Sequence, residues 1–491
     1  MQTNARITFD ISHSLDLILH YAPLPVALGV WLFGATCGPV EAQSTPKLLP
    51  QAALASRASF ANPNGAGETF NANGPEDPNS PFFESLGTNG RSCGSCHQPD
   101  QGWTISAAGT QQRFVLTNGT DPVFRPVDGA NCGTSKDNDF STINGRSQAY
   151  SLLLTRALIR VGIAMPAGAD FQVVSVSNPY GCNDTATLSM YRRPLPTTNL
   201  RFLSTVMWDG RESVAPTTQK ISFGTNPGDL MADLAQQAAD AVSGHAEGTV
   251  PLTAAQQQAI VAFEMGLHTA QTVEENARRL NVAGATGGPL PLAAQQFFIG
   301  INDPLGSNPF TTPFNSNIFN LFNAWANEPY DTARAAVYRG QTVFNTKNIN
   351  ITNVAGLNDT LNTPVIAGFC GTCHSAPNAG NHSVPLPINI GVGDLTSPLD
   401  VSYLPVFTLR NISTGATLET TDPGRALVTG KWADIGKFKG PVLRGLSSRA
   451  PYFHNGSAAS LKDVVDFYDS RFNIGFTDQE KNDLIAFLRS L

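Results

Sequence analysis

Two short stretches carry residue types suited to chemistry: Cys93-Gly94-Ser95-Cys96-His97 and Cys370-Gly371-Thr372-Cys373-His374. Each sets two thiols two residues apart and an imidazole directly after the second. A structural zinc site needs four protein ligands, whereas these pairs lie 277 residues apart with no further Cys or His at finger spacing. A thioredoxin-like redox pair would need a βαβ setting, which the surrounding pattern lacks. Covalent c-type haem satisfies both stretches. Thiols spaced in this way on a nascent helix reach the two vinyl groups, and the adjacent imidazole binds iron from one side. The expectation is two covalently bound c-type haems, one on Cys93, Cys96 and His97 and the other on Cys370, Cys373 and His374.

The remaining cysteines follow from compartment. Residues 1–42 read as a signal peptide, with an apolar stretch from Ala22 to Cys37 and a small-x-small cleavage site, Val40-Glu41-Ala42. Export to the periplasm would favour a disulfide between Cys132 and Cys182 over a catalytic thiol. Losing Arg6 with Asp10, Asp16 and Glu41 takes the net charge from −7 to −5, and a mildly acidic surface with scattered lysines is a poor match for nucleic acid.

The elements that must position the motifs are clearest at the C-terminus. Ser460 reads as an N-cap with Asp463 in the first turn, followed by Leu461, Val464, Val465 and Tyr468 on one stripe, so Tyr468 points inward. Thr477 and Glu480 form a capping box before a helix that buries Leu484, Phe487, Leu488 and Leu491. The expected fold is mainly α: two cytochrome c-like haem domains with long loops and an interdomain helical C-terminus. The expected boundaries are a flexible segment at 43–80, a first domain at 81–285 with an insertion at about 104–200, and a second domain at 286–491, with 282–293 as the linker.

At this point the chain resembles a known family, the bacterial di-haem cytochrome c peroxidases and the related MauG proteins. The resemblance rests on both haem motifs, on "MWDGRE" at 207–212, on "RAAVYRGQTVF" at 334–344, and on "FKGPVLRG" through "APYFHNGSAASLKDVVDFY" in the region 436–472. It implies a peroxidatic first haem, an electron-transfer second haem, and Trp208 as the bridge between them. Family peroxidases cap the second haem with a Met fourteen residues after the His of "PYFH"; counting from His454 gives Tyr468, the position where MauG-like proteins carry a tyrosine ligand. The removable His sixteen residues beyond the first proximal ligand is replaced by Arg113, which implies a first haem open at rest.

Peroxide cleavage also calls for a carboxylate or imidazole beside the open face. The family places a Glu nine residues after the Ala of a "Gln-Ala" helix; Gln237 and Ala238 lead to Glu247, and His245 stands two residues away as the other candidate, for the same work or for the iron itself. By resemblance His454 lies near the second haem propionates or between the domains. A calcium ion held by the carbonyls of Arg449 and Pro451 is a further family feature, although the position near Ser147 and Gln148 offers no clear Asn.

Three functions are implied. The first is a periplasmic peroxidase that reduces hydrogen peroxide at haem 1 with electrons from a small donor, a cytochrome c or cupredoxin, entering through haem 2. The second is a MauG-like oxidase of a protein or small molecule, and the third is a di-haem electron carrier capped by a residue such as Met165, Met190 or Met207. A homodimer is the oligomeric state the resemblance suggests.

Overall fold

The computed structural model of the chain describes residues 55–213 and 227–491. The signal segment at 1–42 lies outside the described residues. Both expected C-terminal helices form, at Leu461–Phe472 and Asp478–Arg489: the first is opened by the expected N-cap Ser460, which forms a capping box with Asp463, and the second by the expected capping box of Thr477 with Glu480. The second packs on the helix Ala333–Thr346. That contact runs through Gly340, where a β-carbon would stand 1.9 Å from the Asp483 carbonyl oxygen, so only glycine permits the approach. Around it Val337, Phe344, Leu484, Phe487 and Leu488 join Phe319, Phe322 and Trp325 in a buried cluster.

Helix exceeds strand, but beside the helices eleven strands are described, in four small antiparallel sheets. The insertion supplies several of them. Ile159–Ala164 pairs with Thr187–Arg192, and Phe171–Ser177 pairs with Val406–Asn411 from the C-terminal half of the chain. The reason lies in stretches such as Phe171-Gln-Val-Val-Ser-Val-Ser, where branched and aromatic residues favour a pleated surface over a helix. Cys132 and Cys182 are joined by a disulfide, with Cα atoms 5.7 Å apart.

The stretch 43–80, expected to be loosely ordered, contains a hairpin of Arg57–Asn62 and Gly65–Asn71. Its second strand pairs with Leu267–Glu274, and Thr69 receives a hydrogen bond from Trp103 Nε1 at 2.9 Å, so long-range partners order a polar segment. The expected linker is likewise packed, with Ala285 and Leu292 buried. The described residues fall in one compact unit, 50–491. Among them no helix is long and apolar enough to cross a membrane.

Candidate active site

Two cavities hold the two motifs. The first, about 1630 Å³ counted with its open mouth, is lined by Cys93, Cys96 and His97; the second, about 1710 Å³ on the same measure, by Cys370, Cys373 and His374. In each, the imidazole Nδ1 faces a backbone carbonyl and must donate to it: His97 to Trp103 O at 2.9 Å, His374 to Gly380 O at 2.6 Å. That fixes the tautomer and leaves Nε2 bare, as a metal ligand requires. Burial holds both rings neutral, with pKa values pushed down to about 4. All four thiols are free, in contrast to the disulfide pair.

Trp208 lines both cavities. Its indole N–H donates to Arg193 O at 2.9 Å, and its ring meets His454 edge to face at 6.2 Å. His454 lines the second cavity, stacks on Phe438 at 3.9 Å and stands 4.0 Å from Asp422, while burial lowers its pKa to about 4. The polypeptide on either side of Trp208 is pinned by buried charge. Arg192 bridges Asp209 and Asp422 at 2.5 and 2.7 Å, all three almost wholly buried.

Three cations also line both cavities: Arg193, Lys439 and Arg449. Burial lowers their pKa values to about 9, 7 and 10. Lys439 Nζ reaches only the Thr205 carbonyl at 3.2 Å, Arg449 Nε has no partner, and none of the three meets a carboxylate among the described residues. Buried charge of this kind calls for an anion. Paired thiols, two imidazoles with bare Nε2, roomy apolar cavities and a cationic seam fit two haems with their propionates. Calcium does not fit where it was expected. The Arg449 carbonyl accepts from the Arg193 guanidinium at 3.0 Å, which already brings positive charge there.

The opposite walls differ. In the first cavity the helix Pro227–Gly244 presents Leu234, Gln237, Ala238, Ala241 and Val242, with His245 just beyond its end. His245 Nδ1 meets Asp128 Oδ2 at 2.5 Å, and Arg91 grips the other oxygen of Asp128 at 2.5 Å. Glu247 is elsewhere. It is exposed, outside the lining, and accepts from Asn89 at 3.0 Å, because the chain turns through a left-handed residue, φ 52°, at that position. Arg113 also stays out of the lining, tied to Asp121 and to the Ser95 carbonyl at 2.6 Å. Met207 lines the first cavity; Met165 and Met190 pack in a separate core cluster. His268 and His382 are buried outside both linings.

Tyr468 lines the second cavity, on the inward face expected, stacked with Phe472 and near Phe453. Its hydroxyl has no hydrogen-bond partner among the described residues, and burial raises its pKa well above the ordinary phenol value. One residue in the first wall had gone unnoticed: Glu264, 4% exposed, with Oε2 unpaired and its pKa raised by burial to about 8. A carboxylate inside the apolar run Ile260-Val261-Ala262-Phe263 was the available signal.

No protein-family model matches the chain. It is 33% identical over 135 residues to cytochrome-c peroxidase IdrP2 of Denitromonas iodatirespirans, covering 25% of this chain and 36% of that protein. It is 29% identical over 187 residues to cytochrome-c peroxidase IdrP1 of Pseudomonas sp. (strain SCT), covering 35% and 43%, and 41% identical over 76 residues to cytochrome c551 peroxidase of Nitrosomonas europaea, covering 15% and 23%. The matches therefore span less than half the length of these relatives. A crystal structure of a MauG-like protein associated with microbial copper homeostasis aligns over 83% of this chain and 85% of its own, at 16% identity and a TM-score of 0.34.

Proposed function

We propose that this chain, a homologue of the bacterial di-haem cytochrome-c peroxidase and MauG family, is a periplasmic enzyme that reduces hydrogen peroxide at the first cavity. The observation that carries the reading is the pair of Cys-x-x-Cys-His motifs on the walls of two cavities that share Trp208. Cys93, Cys96 and His97 would hold one haem, and Cys370, Cys373 and His374 the other. Bound haem would supply the redox chemistry that reduces the O–O bond of peroxide. Peroxide takes two electrons and two protons and leaves as two waters. The electrons come singly from a small donor protein of the periplasm, a cytochrome c or cupredoxin.

The chain's own work is then positional and protonic. Trp208 is the aromatic wall common to both cavities and the bridge for electrons. Arg193, Lys439 and Arg449 neutralise the propionates, and those anions would restore the charge that burial suppresses on Lys439. His245, which lines the first cavity, takes a proton from the inner oxygen of peroxide and returns it to the outer one. Export is supported by the Cys132–Cys182 disulfide, which suits an oxidising compartment.

A second reading, MauG-like oxidation of a protein or small molecule by both haems together, is favoured by Tyr468, which lines the second cavity and whose hydroxyl has no hydrogen-bond partner among the described residues. The test is the optical spectrum of the fully ferric protein before and after one equivalent of hydrogen peroxide, mixed rapidly without reductant. A prompt Soret change is expected. A change that waits for one haem to be reduced would indicate a cap such as Met207 on the first site, and silence in both states would leave an electron carrier.

A further inference from the structure

The first cavity holds a polar unit that lies outside both haem motifs. Asp128, in the loop following Phe124, is 5% exposed and bonds through both oxygens: Oδ1 to Arg91 Nη1 and Oδ2 to His245 Nδ1, each at 2.5 Å. Arg91 is itself immobilised. Its Nε donates to Pro122 O at 2.8 Å, Nη2 to Val123 O at 2.7 Å, and Nη1 also to the His245 carbonyl at 3.1 Å. Three residues far apart in sequence thus form a chain, buried at Arg91 and Asp128, that ends in a half-exposed imidazole lining the cavity.

We propose that Asp128, clamped by Arg91, is the positioning residue that makes His245 the acid–base group of the first cavity. The inference rests on the reading that the first cavity is where peroxide is cleaved. A carboxylate facing Nδ1 fixes the tautomer with the proton on that nitrogen, and Nε2, which meets no partner among the described residues, is left as the acceptor. Once Nε2 has taken a proton, the same carboxylate stabilises the imidazolium. The arrangement also keeps Asp128 ionised: burial would raise its pKa, but the hydrogen bond from His245 and the charge of Arg91 hold it below the usual range. The charged and titratable groups in contact with His245 are Asp128 and Arg91, and His97 and Glu264 line the same cavity. Glu247, the carboxylate nearest in sequence, points to solvent and hydrogen-bonds to Asn89. In turnover the proton leaves the inner oxygen for Nε2 and passes to the outer oxygen as the O–O bond breaks. That shift moves a proton peroxide already carries; the two further protons come from solvent and the two electrons from the donor protein, so two waters are released.

The experiment uses the fully loaded protein and reads cyanide association at the ferric first haem by its Soret shift across pH, beside kcat and KM for peroxide, with haem content per chain as the control. Hydrogen cyanide must lose a proton to bind as the anion, so its association rate reports the base without turnover. His245→Gln is expected to slow cyanide association and kcat/KM about 10²-fold, the usual scale for a positioned general base. Asp128→Asn should approach that loss at full haem content, because an amide hydrogen facing Nδ1 moves the ring proton to Nε2. Asp128→Glu, which keeps the charge, should recover part of the rate and serves as the second variant if the Asn form loads poorly. Wild-type cyanide rates and pH profile in Asp128→Asn, with His245→Gln slow, would overturn the positioning role and leave the function intact. A low-spin first haem that turns high-spin in His245→Gln would put His245 on the iron and overturn the proposal. If the wild-type protein fails to turn over peroxide, the function falls, and the cyanide rates still decide on the dyad.

Discussion

The two cavities share a motif, a wall and a similar size, yet their opposite faces differ. The first carries His245, Asp128, Arg91 and Glu264; the second is lined by Ile388, Val392, Val464, Val465 and Phe472, with Tyr468 facing inward among them. Proton-coupled bond cleavage needs groups that exchange protons beside the reacting atom. A site that only stores or passes an electron is served by a dry, apolar surround and one hard donor. The contrast agrees with the proposed division of work, with chemistry in the first cavity and electron handling in the second.

The largest effect that would sharpen this contrast comes from removing one attachment at a time. Replacing Cys93 and Cys96 by Ser should leave one covalent haem per chain and abolish peroxide reduction. Replacing Cys370 and Cys373 should also leave one, yet retain peroxide or cyanide binding at the first site. Covalent haem stain after denaturing electrophoresis, with ligand-binding spectra, checks both. Equal loss of ligand binding in the two variants would break the division of labour.

Next in size is the buried acid of the first cavity. Glu264 has an ordinary pKa of 4.5 and a folded value of about 8, with burial as the cause. A group raised in the folded state contributes its full stability below the ordinary pKa and loses it as pH rises through the folded one. Glu264→Gln, which cannot ionise, should therefore gain on the wild type from pH 5 to 8 and then hold a constant advantage, on the order of 4 kcal/mol. Unfolding midpoints of the loaded protein across that range check it. A difference independent of pH would mean that Glu264 is ionised and paired when haem is bound.

In the second cavity the corresponding test is Tyr468→Phe. Because the hydroxyl has no hydrogen-bond partner among the described residues, its removal should change stability by less than about 1 kcal/mol. If the phenolate is an axial ligand, the reduction potential of the second haem should nevertheless rise, since a hard anionic donor favours ferric iron. Potentiometric titration of both haems separates the outcomes: an unchanged second potential would leave Tyr468 as a residue of the haem edge.

What was legible in the sequence follows from the range of each interaction. The two Cys-x-x-Cys-His motifs are local patterns, and the helices Leu461–Phe472 and Asp478–Arg489 carry caps and an apolar stripe within a few turns, so their bounds and inward faces were readable. The hairpin at 57–71 was not, since its order comes from a strand some two hundred residues away and from Trp103. Strands in the insertion were missed because the expectation followed the helical surroundings of haem rather than the local pattern. The Asp128–His245 bond joins residues 117 apart and leaves no periodic trace. His245 and Glu247 were both candidates, and only the left-handed turn at Glu247 separates the one facing the cavity from the one facing solvent.

That separation yields the smallest expected effect. Glu247→Gln keeps the shape of the side chain and an acceptor for the Asn89 amide, which also donates to the His245 carbonyl at 2.9 Å. At an exposed position with its contact retained, the change should cost within about 0.5 kcal/mol. Peroxide turnover and cyanide association should stay at wild-type rates, because no proton passing through His245 needs this carboxylate. A large loss of kcat in Glu247→Gln, at unchanged haem content and stability, would mean that the loop closes over the loaded cavity and brings the carboxylate to peroxide. The acid–base role would then pass from the imidazole to Glu247, and the contrast between the two cavities would rest on a different residue of the same wall.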